Sequence, residues 1–239
     1  MRERWHIENV SRIGRAFERR FRELLAEAGA RQCDKGIRWL FARADVLARN
    51  TESTTSHALA EMNIALAEKL HRLRKRRGMG TARPAVEPYL FCDAGLGGLA
   101  RWLRASGCDA HWVQDISDAD LVARAEEINA IIITTDSFLL DRRPIAHGRV
   151  RAIWVPPTLT RFEQLRLVRA ELDLPPGDSR CMRCGGELVQ VDKQTVKDRI
   201  PPRTYLWLDE YWMCTRCGQL FWHGTHWKRV SECLRSGRG

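Results

Sequence analysis

The chain has 239 residues, enough for one or two domains with a real hydrophobic core. Its 44% hydrophobic and 29% charged residues exclude collagen, wholesale disorder and a disulfide miniprotein. No run of about 18 apolar residues occurs and the first 30 residues, interrupted throughout by Arg and Glu, lack an apolar signal region, so the expectation is a soluble cytoplasmic protein.

The net charge of +10 is unevenly spread. Residues 1–87 hold 19 basic and 11 acidic side chains, a net +8, whereas 88–239 hold 21 and 19, a net +2. A basic segment joined to a near-neutral one fits a nucleic-acid handle on a working domain. A solvated helical surface with no ligand is the plainer alternative.

From the N-terminus, Val10, Ile13, Phe17, Phe21, Leu24 and Leu25 recur at three- and four-residue spacing and predict one helical stripe. Arg12, Arg15, Arg19, Arg20 and Arg22 fall on the faces left for solvent or phosphate. A second, short helix is expected around Ile37, Leu40, Phe41, Ala44 and Leu47. A third, over 56–76, begins at Ser53 or Ser56 as N-cap and ends in Arg72, Arg74, Lys75, Arg76 and Arg77. The basic run suits RNA, although a helix C-terminus favours cations without any ligand. Residues 78–88 read as a linker, which bounds a basic helical segment at 1–77.

Beyond it, short apolar runs alternate with helices. Strands are expected at 89–92, 111–113, 131–133 and 152–155, and helices at 96–105, 118–129 and 161–172. That order predicts an α/β fold, a parallel sheet covered on both faces, over 89–178. Asp93 and Asp136 each follow a strand, so both belong to the sheet edge where ligands gather. Asp115, Asp118 and Asp120 cluster at the start of a helix, where capping is an alternative to ligation. Carboxylates at strand ends with one from a neighbouring helix make an oxygen site suited to Mg²⁺ or Mn²⁺. Such ions activate water against a phosphodiester. Arg101 and Arg104 on the following helix are candidates to neutralise the phosphates. A hydrolytic Ser-His-Asp arrangement, a Walker loop and a dinucleotide glycine fingerprint are absent.

From 179 to 235 cysteine, glycine and aromatic residues replace the earlier rhythm. Cys181-x-x-Cys184 and Cys214-x-x-Cys217 are separated by 29 residues, and each pair is followed by a glycine. Two such knuckles predict a zinc ribbon closed by four thiolates, with Zn²⁺ structural because no position is left open for substrate. His223 and His226, flanked by Trp222 and Trp227, are read as RNA contacts or local stacking. Cys33, Cys92, Cys108 and Cys233 are read as buried or incidental thiols.

Several stretches, taken together, resemble the Mut7-C ribonuclease family, a PIN-like nuclease domain with a C-terminal zinc ribbon. They are Phe91-Cys92-Asp93 with 99–104, Ile116-Ser117-Asp118, Thr134-Thr135-Asp136, Val196 to Pro202, and Cys214 to Cys217 with the tail from Phe221 to Trp227. The resemblance covers about 89–230. It implies a PIN-like Rossmannoid sheet and metal-dependent RNA cleavage, with Asp93, Asp118 and Asp136 as the metal-binding acids. Members often carry Arg where this chain has Thr135, and residues 1–87 have no counterpart in the pattern.

The expected function is thus a metal-dependent ribonuclease whose basic helices and ribbon assist binding of RNA, with ribosomal RNA and tRNA among the candidates. The rival is a non-catalytic RNA- or ribosome-binding protein with a vestigial acidic pocket. Exo- or endonuclease action and oligomeric state are not legible in the residues.

Overall fold

The computed structural model describes residues 12–78, 87–174 and 177–222. Val10, His223, His226, Trp227, Cys233 and most of the expected linker lie outside the described residues.

Three helices open the chain. The first, α1 (Arg12–Glu27), buries Phe17, Phe21 and Leu24, the stripe that the three- and four-residue spacing marks. The second, α2 (Cys33–Asn50), runs for 18 residues and is not short. Its apolar positions mark only the buried face, while Asp34, Lys35, Arg38, Arg43 and Arg49 extend the helix at its surface. The third, α3 (Thr55–Arg76), is capped by Thr54, whose hydroxyl accepts from the His57 N–H at 3.2 Å. Thr54 lies between the two serines expected as caps and is the residue with extended backbone at the helix entrance.

Four parallel strands follow: β1 (Leu90–Cys92), β2 (Ala110–Trp112), β3 (Ile131–Thr134) and β4 (Ala152–Trp154), in the spatial order β2-β1-β3-β4. Their connections are the helices α4 (Gly97–Ala105), α5 (Asp118–Glu127) and the short α6 (Arg143–Ala146). After β4, α7 (Arg161–Leu172) begins at Thr160 with a reciprocal capping box to Glu163.

Both sheet faces are buried, and the strand pleat sorts the side chains between them. Leu90, Cys92, Ile131, Ile133 and Ile153 join one core with α4 and α7. Phe91 and Ile132 point the other way, against Leu121, Val122 and Ala125 of α5. Phe17, Phe21, Leu40, Leu59 and Ile64 belong to the first of these cores, so the basic helices share their interior with the sheet. Packing of α3 along α7 makes that junction, and a half-buried pair between Arg20 of α1 and Glu171 of α7 (2.7 Å) reinforces it.

A smaller antiparallel sheet, β5-β6-β7, comprises β5 (Leu188–Val191), β6 (Tyr211–Cys214) and β7 (Leu220–Trp222). Between β5 and β6 the chain forms a 3₁₀ turn and the exposed helix α8 (Pro202–Trp207). Val196, Ile200, Tyr211 and Leu220 are its buried core. Among the described residues no helix is long and apolar enough to cross a membrane.

Candidate metal centres and strand-edge site

The chain passes from β1 to β2 on one side, then returns to β3 on the other side of β1. The crevice beyond the carboxyl ends of β1 and β3 is therefore the topological switch point, where open α/β sheets bind ligands. Asp93 and Asp136 both lie there. The Asp93 N–H donates to the Ile133 carbonyl at 2.9 Å, which anchors the residue to the neighbouring strand. Between the two acids stands Thr134, fully buried at the end of β3. Its hydroxyl donates to Asp93 Oδ2 at 2.7 Å and accepts from the Asp136 N–H at 2.9 Å. Asp136 in turn accepts the Phe138 N–H on Oδ1 at 2.8 Å. One buried hydroxyl thus holds the Asp93 carboxylate and the Asp136 backbone together. Trp154 braces the same loop by donating its indole N–H to the Thr135 carbonyl at 2.9 Å.

Asp118 occupies the first turn of α5, and its Oδ2 lies 3.4 Å from Arg142 Nη2. Asp120 is a capping residue: its carboxylate accepts from the Ser117 hydroxyl, which accepts the Asp120 N–H. Asp115 is exposed. Asp93 and Asp136 offer hard oxygen donors of the kind that Mg²⁺ or Mn²⁺ takes. Asp118 stays with Arg142, so the three acids do not converge as a single ligand set. Among the described residues, two groups bring their ligand atoms within 4.8 Å of one another: the four knuckle cysteines, and His57 with Glu61 and Glu163. Glu163 in the second group already serves the α7 capping box.

The cysteine group has the geometry of a closed tetrahedral site. Cys181 Sγ lies 3.6 Å from Cys217 Sγ, and Cys184 Sγ lies 3.5 Å from Cys214 Sγ. Sulfurs around a zinc ion with bonds near 2.3 Å are about 3.8 Å apart, so the four thiols fit. Gly185 (φ 77°) and Gly218 (φ 66°) take the left-handed conformation that turns each knuckle back on itself. Burial pushes the Cys181 thiol up to about 12. At Cys214 burial also opposes ionisation, but the N–H groups of Cys217 and Arg216 and the neighbouring thiols bring it down to about 7.

The basic residues divide. Arg101 is exposed on α4, and Lys75, Arg76 and Arg77 are exposed at the end of α3. Arg104 is 5% exposed and does not meet solvent as the sequence reading expects. Its guanidinium donates to the carbonyls of Ala110 (2.6 Å), Met182 (3.1 Å) and Arg183 (3.0 Å), tying α4 to the first knuckle. Burial lowers its pKa from the ordinary arginine value. Arg74 is engaged as well, held by Glu27 and Asp173, and the hydrogen bond to Glu27 is the main cause of its raised pKa. Burial pushes the Cys92 thiol up to about 12, which suits an inert core residue beside Asp93.

Three residues near the acids escape a sequence reading. Arg142 meets Asp118 across 24 positions, the exposed Phe138 hangs from the Asp136 loop, and Arg161 at the start of α7 lies against Gly98. Strand order, not local spacing, brings Arg142 and Arg161 to their partners, and Phe138 gives no sign in sequence of its exposure.

The family model described as the Mut7-C RNAse domain matches residues 88–234, more than half of the chain. Comparison with curated proteins and with solved structures found no match.

Proposed function

The chain belongs to the Mut7-C RNase domain family, and from that premise we propose that it is a metal-dependent ribonuclease with its active site at Asp93, Asp118 and Asp136. The observation that carries the reading is the Thr134 hydroxyl bridging Asp93 and Asp136 at the switch point of the parallel sheet.

The fold reading that accompanies it is a PIN-like nuclease unit over 89–178 and a zinc ribbon over 179–235. Asp93 and Asp136 would hold Mg²⁺ or Mn²⁺, and Asp118 would join them. Its exposed pair with Arg142 is worth at most about 1 kcal/mol, so releasing it costs little. A divalent ion held there would make an attacking water more acidic and neutralise charge on the phosphodiester. Thr134 would keep the Asp93 carboxylate and the Asp136 backbone in place, and the exposed Arg101 of the adjacent helix would meet the phosphate. The four cysteines would hold a structural zinc with no role in the cleavage step.

The test is cleavage of labelled single-stranded and structured RNAs with Mn²⁺ or with EDTA. Metal-dependent cleavage by the wild type, lost in Asp93→Asn and in Asp136→Asn with the fold retained, is the expected result. Cleavage that persists in both purified variants would refute the assignment. Salt-sensitive RNA binding without any cleavage would favour the non-catalytic RNA-binding alternative, which the +8 charge of residues 1–87 supports.

A further inference from the structure

The helix α1 runs along the outer side of β4, the edge strand of the parallel sheet. At one end Arg12 pairs with Asp141 and stacks over the Phe138 ring at 4.4 Å, beside the loop that carries Asp136. At the other end Glu27 pairs with Arg74, next to Lys75, Arg76 and Arg77. Between α1 and the β4 edge lies a groove of about 510 Å³.

Five arginines line this groove: Arg12, Arg15, Arg19 and Arg20 from α1, and Arg151 at the start of β4. Three carboxylates, Glu23, Asp141 and Glu171, stand against them, which leaves an excess of two positive charges. The pairing is uneven. Arg20 is committed to Glu171 and Arg12 to Asp141, whereas Arg19 and Arg151 are exposed. Arg15 reaches Asp141 at 3.8 Å and is half open to solvent. Phe138 is 68% exposed even with the Arg12 guanidinium over its ring, so ring surface stays open to a base.

A positively charged track with an aromatic platform at one end is the arrangement that binds single-stranded nucleic acid without reading its sequence. We propose that the groove between α1 and β4 is the path of single-stranded RNA away from the aspartate site. A base stacks on Phe138 and the following phosphates lie on Arg15, Arg19 and Arg151, toward the basic end of α3. The direction of this path rests on the ribonuclease reading; the binding surface does not. Residues 12–23 of α1, which line the groove, span about 17 Å, which matches roughly five nucleotides of a stacked strand at about 3.4 Å each. The track uses residues 12–20, outside the family match, so it assigns this part of the chain a role in holding substrate.

The test is fluorescence anisotropy with labelled single-stranded oligouridylates of 3 and 12 nucleotides, using the full chain in an Asp93→Asn background. Arg19→Glu/Arg151→Glu should weaken binding of the 12-mer at least about tenfold and flatten the dependence of log affinity on log salt by roughly 1.4. The 3-mer should be nearly unaffected. Phe138→Ala should weaken the 12-mer by about tenfold at constant salt slope. Arg38→Glu/Arg49→Glu, the same charge change on the exposed face of α2, should cost at most about twofold. Circular dichroism and melting of each variant verify folding, and Arg19→Gln/Arg151→Gln repeats the test without charge reversal. Equal losses in the groove and α2 variants, unchanged 12-mer binding, or no binding by the parent would each overturn the proposal. If the chain without Asp93→Asn cleaves RNA while groove variants bind the 12-mer normally, the groove fails and the ribonuclease stands. Groove-dependent binding without cleavage fails the ribonuclease alone.

Discussion

Replacing Arg104 by Met keeps most of the side-chain stem but removes the guanidinium that joins α4, β2 and the first knuckle. Three carbonyls, of Ala110, Met182 and Arg183, each lose a charged donor in a site almost closed to water. Leaving a buried acceptor unpaired costs about 1–3 kcal/mol, so the three together cost roughly 3–9 kcal/mol. Against this, the variant no longer buries a charge, which returns several kcal/mol. A net loss of about 2–4 kcal/mol is expected, concentrated where the knuckle docks. Urea unfolding should show a lower midpoint. Hydrogen exchange should accelerate at the Arg180 and Gly177 amides, which bond to the carbonyls of Arg104 and Ser106. Arg104→Lys should fall between, because an ammonium lacks the fork that spans these acceptors. A variant with wild-type midpoint and wild-type exchange at both amides would refute the reasoning.

Thr134→Val preserves shape and burial but removes the hydroxyl between Asp93 and Asp136. A loss of about 1–2 kcal/mol of stability with at least a tenfold drop in cleavage rate is expected, from denaturation and kinetics on one preparation. If the four thiols hold a metal, a chelator or Cys214→Ser should expose 187–222 to proteolysis while 90–172 stays resistant. The small sheet has only a small core of its own, and unchanged digestion would argue against a metal there. Glu171 supplies a pH test. Burial raises its pKa, with Arg20 and Asn63 opposing. A raised acid pKa means tighter proton binding in the folded state, so its contribution is full below the unfolded value, about 4.3, and is lost as pH rises through the folded value. The stability of wild type relative to Glu171→Gln should therefore fall as pH rises above about 4.3, measured by denaturant midpoints; a rise would contradict it.

Much of the fold was legible because its signals are local. The four strands stand within one residue of their expected places at each end, and α7 matches its expected bounds, since β-branched runs and a Thr160–Glu163 cap need no distant partner. The alternating βα order was enough to expect a parallel sheet and to send Asp93 and Asp136 to one edge. The cysteine spacing likewise predicted the grouping that the sulfur distances show. Long-range choices were not legible. Arg101 and Arg104 look alike in sequence, three positions apart on one helix, yet one is exposed and the other buried. What separates them is the return of 180–185 against α4, which no local pattern announces. Arg74 was indistinguishable from Lys75 for the same reason: Glu27 and Asp173 come to it from elsewhere in the chain. The mutual placement of Asp118 and Arg142 depends on strand order in the same way.

The position of α1 beside β4 also bears on what the sheet edge can meet. An edge strand offers a row of unpaired backbone groups, and an uncovered one invites another sheet to add to it. Here Phe17 sets its ring edge-on to Trp154, and the arginines of the same helix hold charge along the groove beside that edge. A fragment cut to the family-matched region would lose both the Phe17 contact and this charge. Recombinant pieces that begin at residue 88 should therefore associate with one another more strongly than the longer chain does.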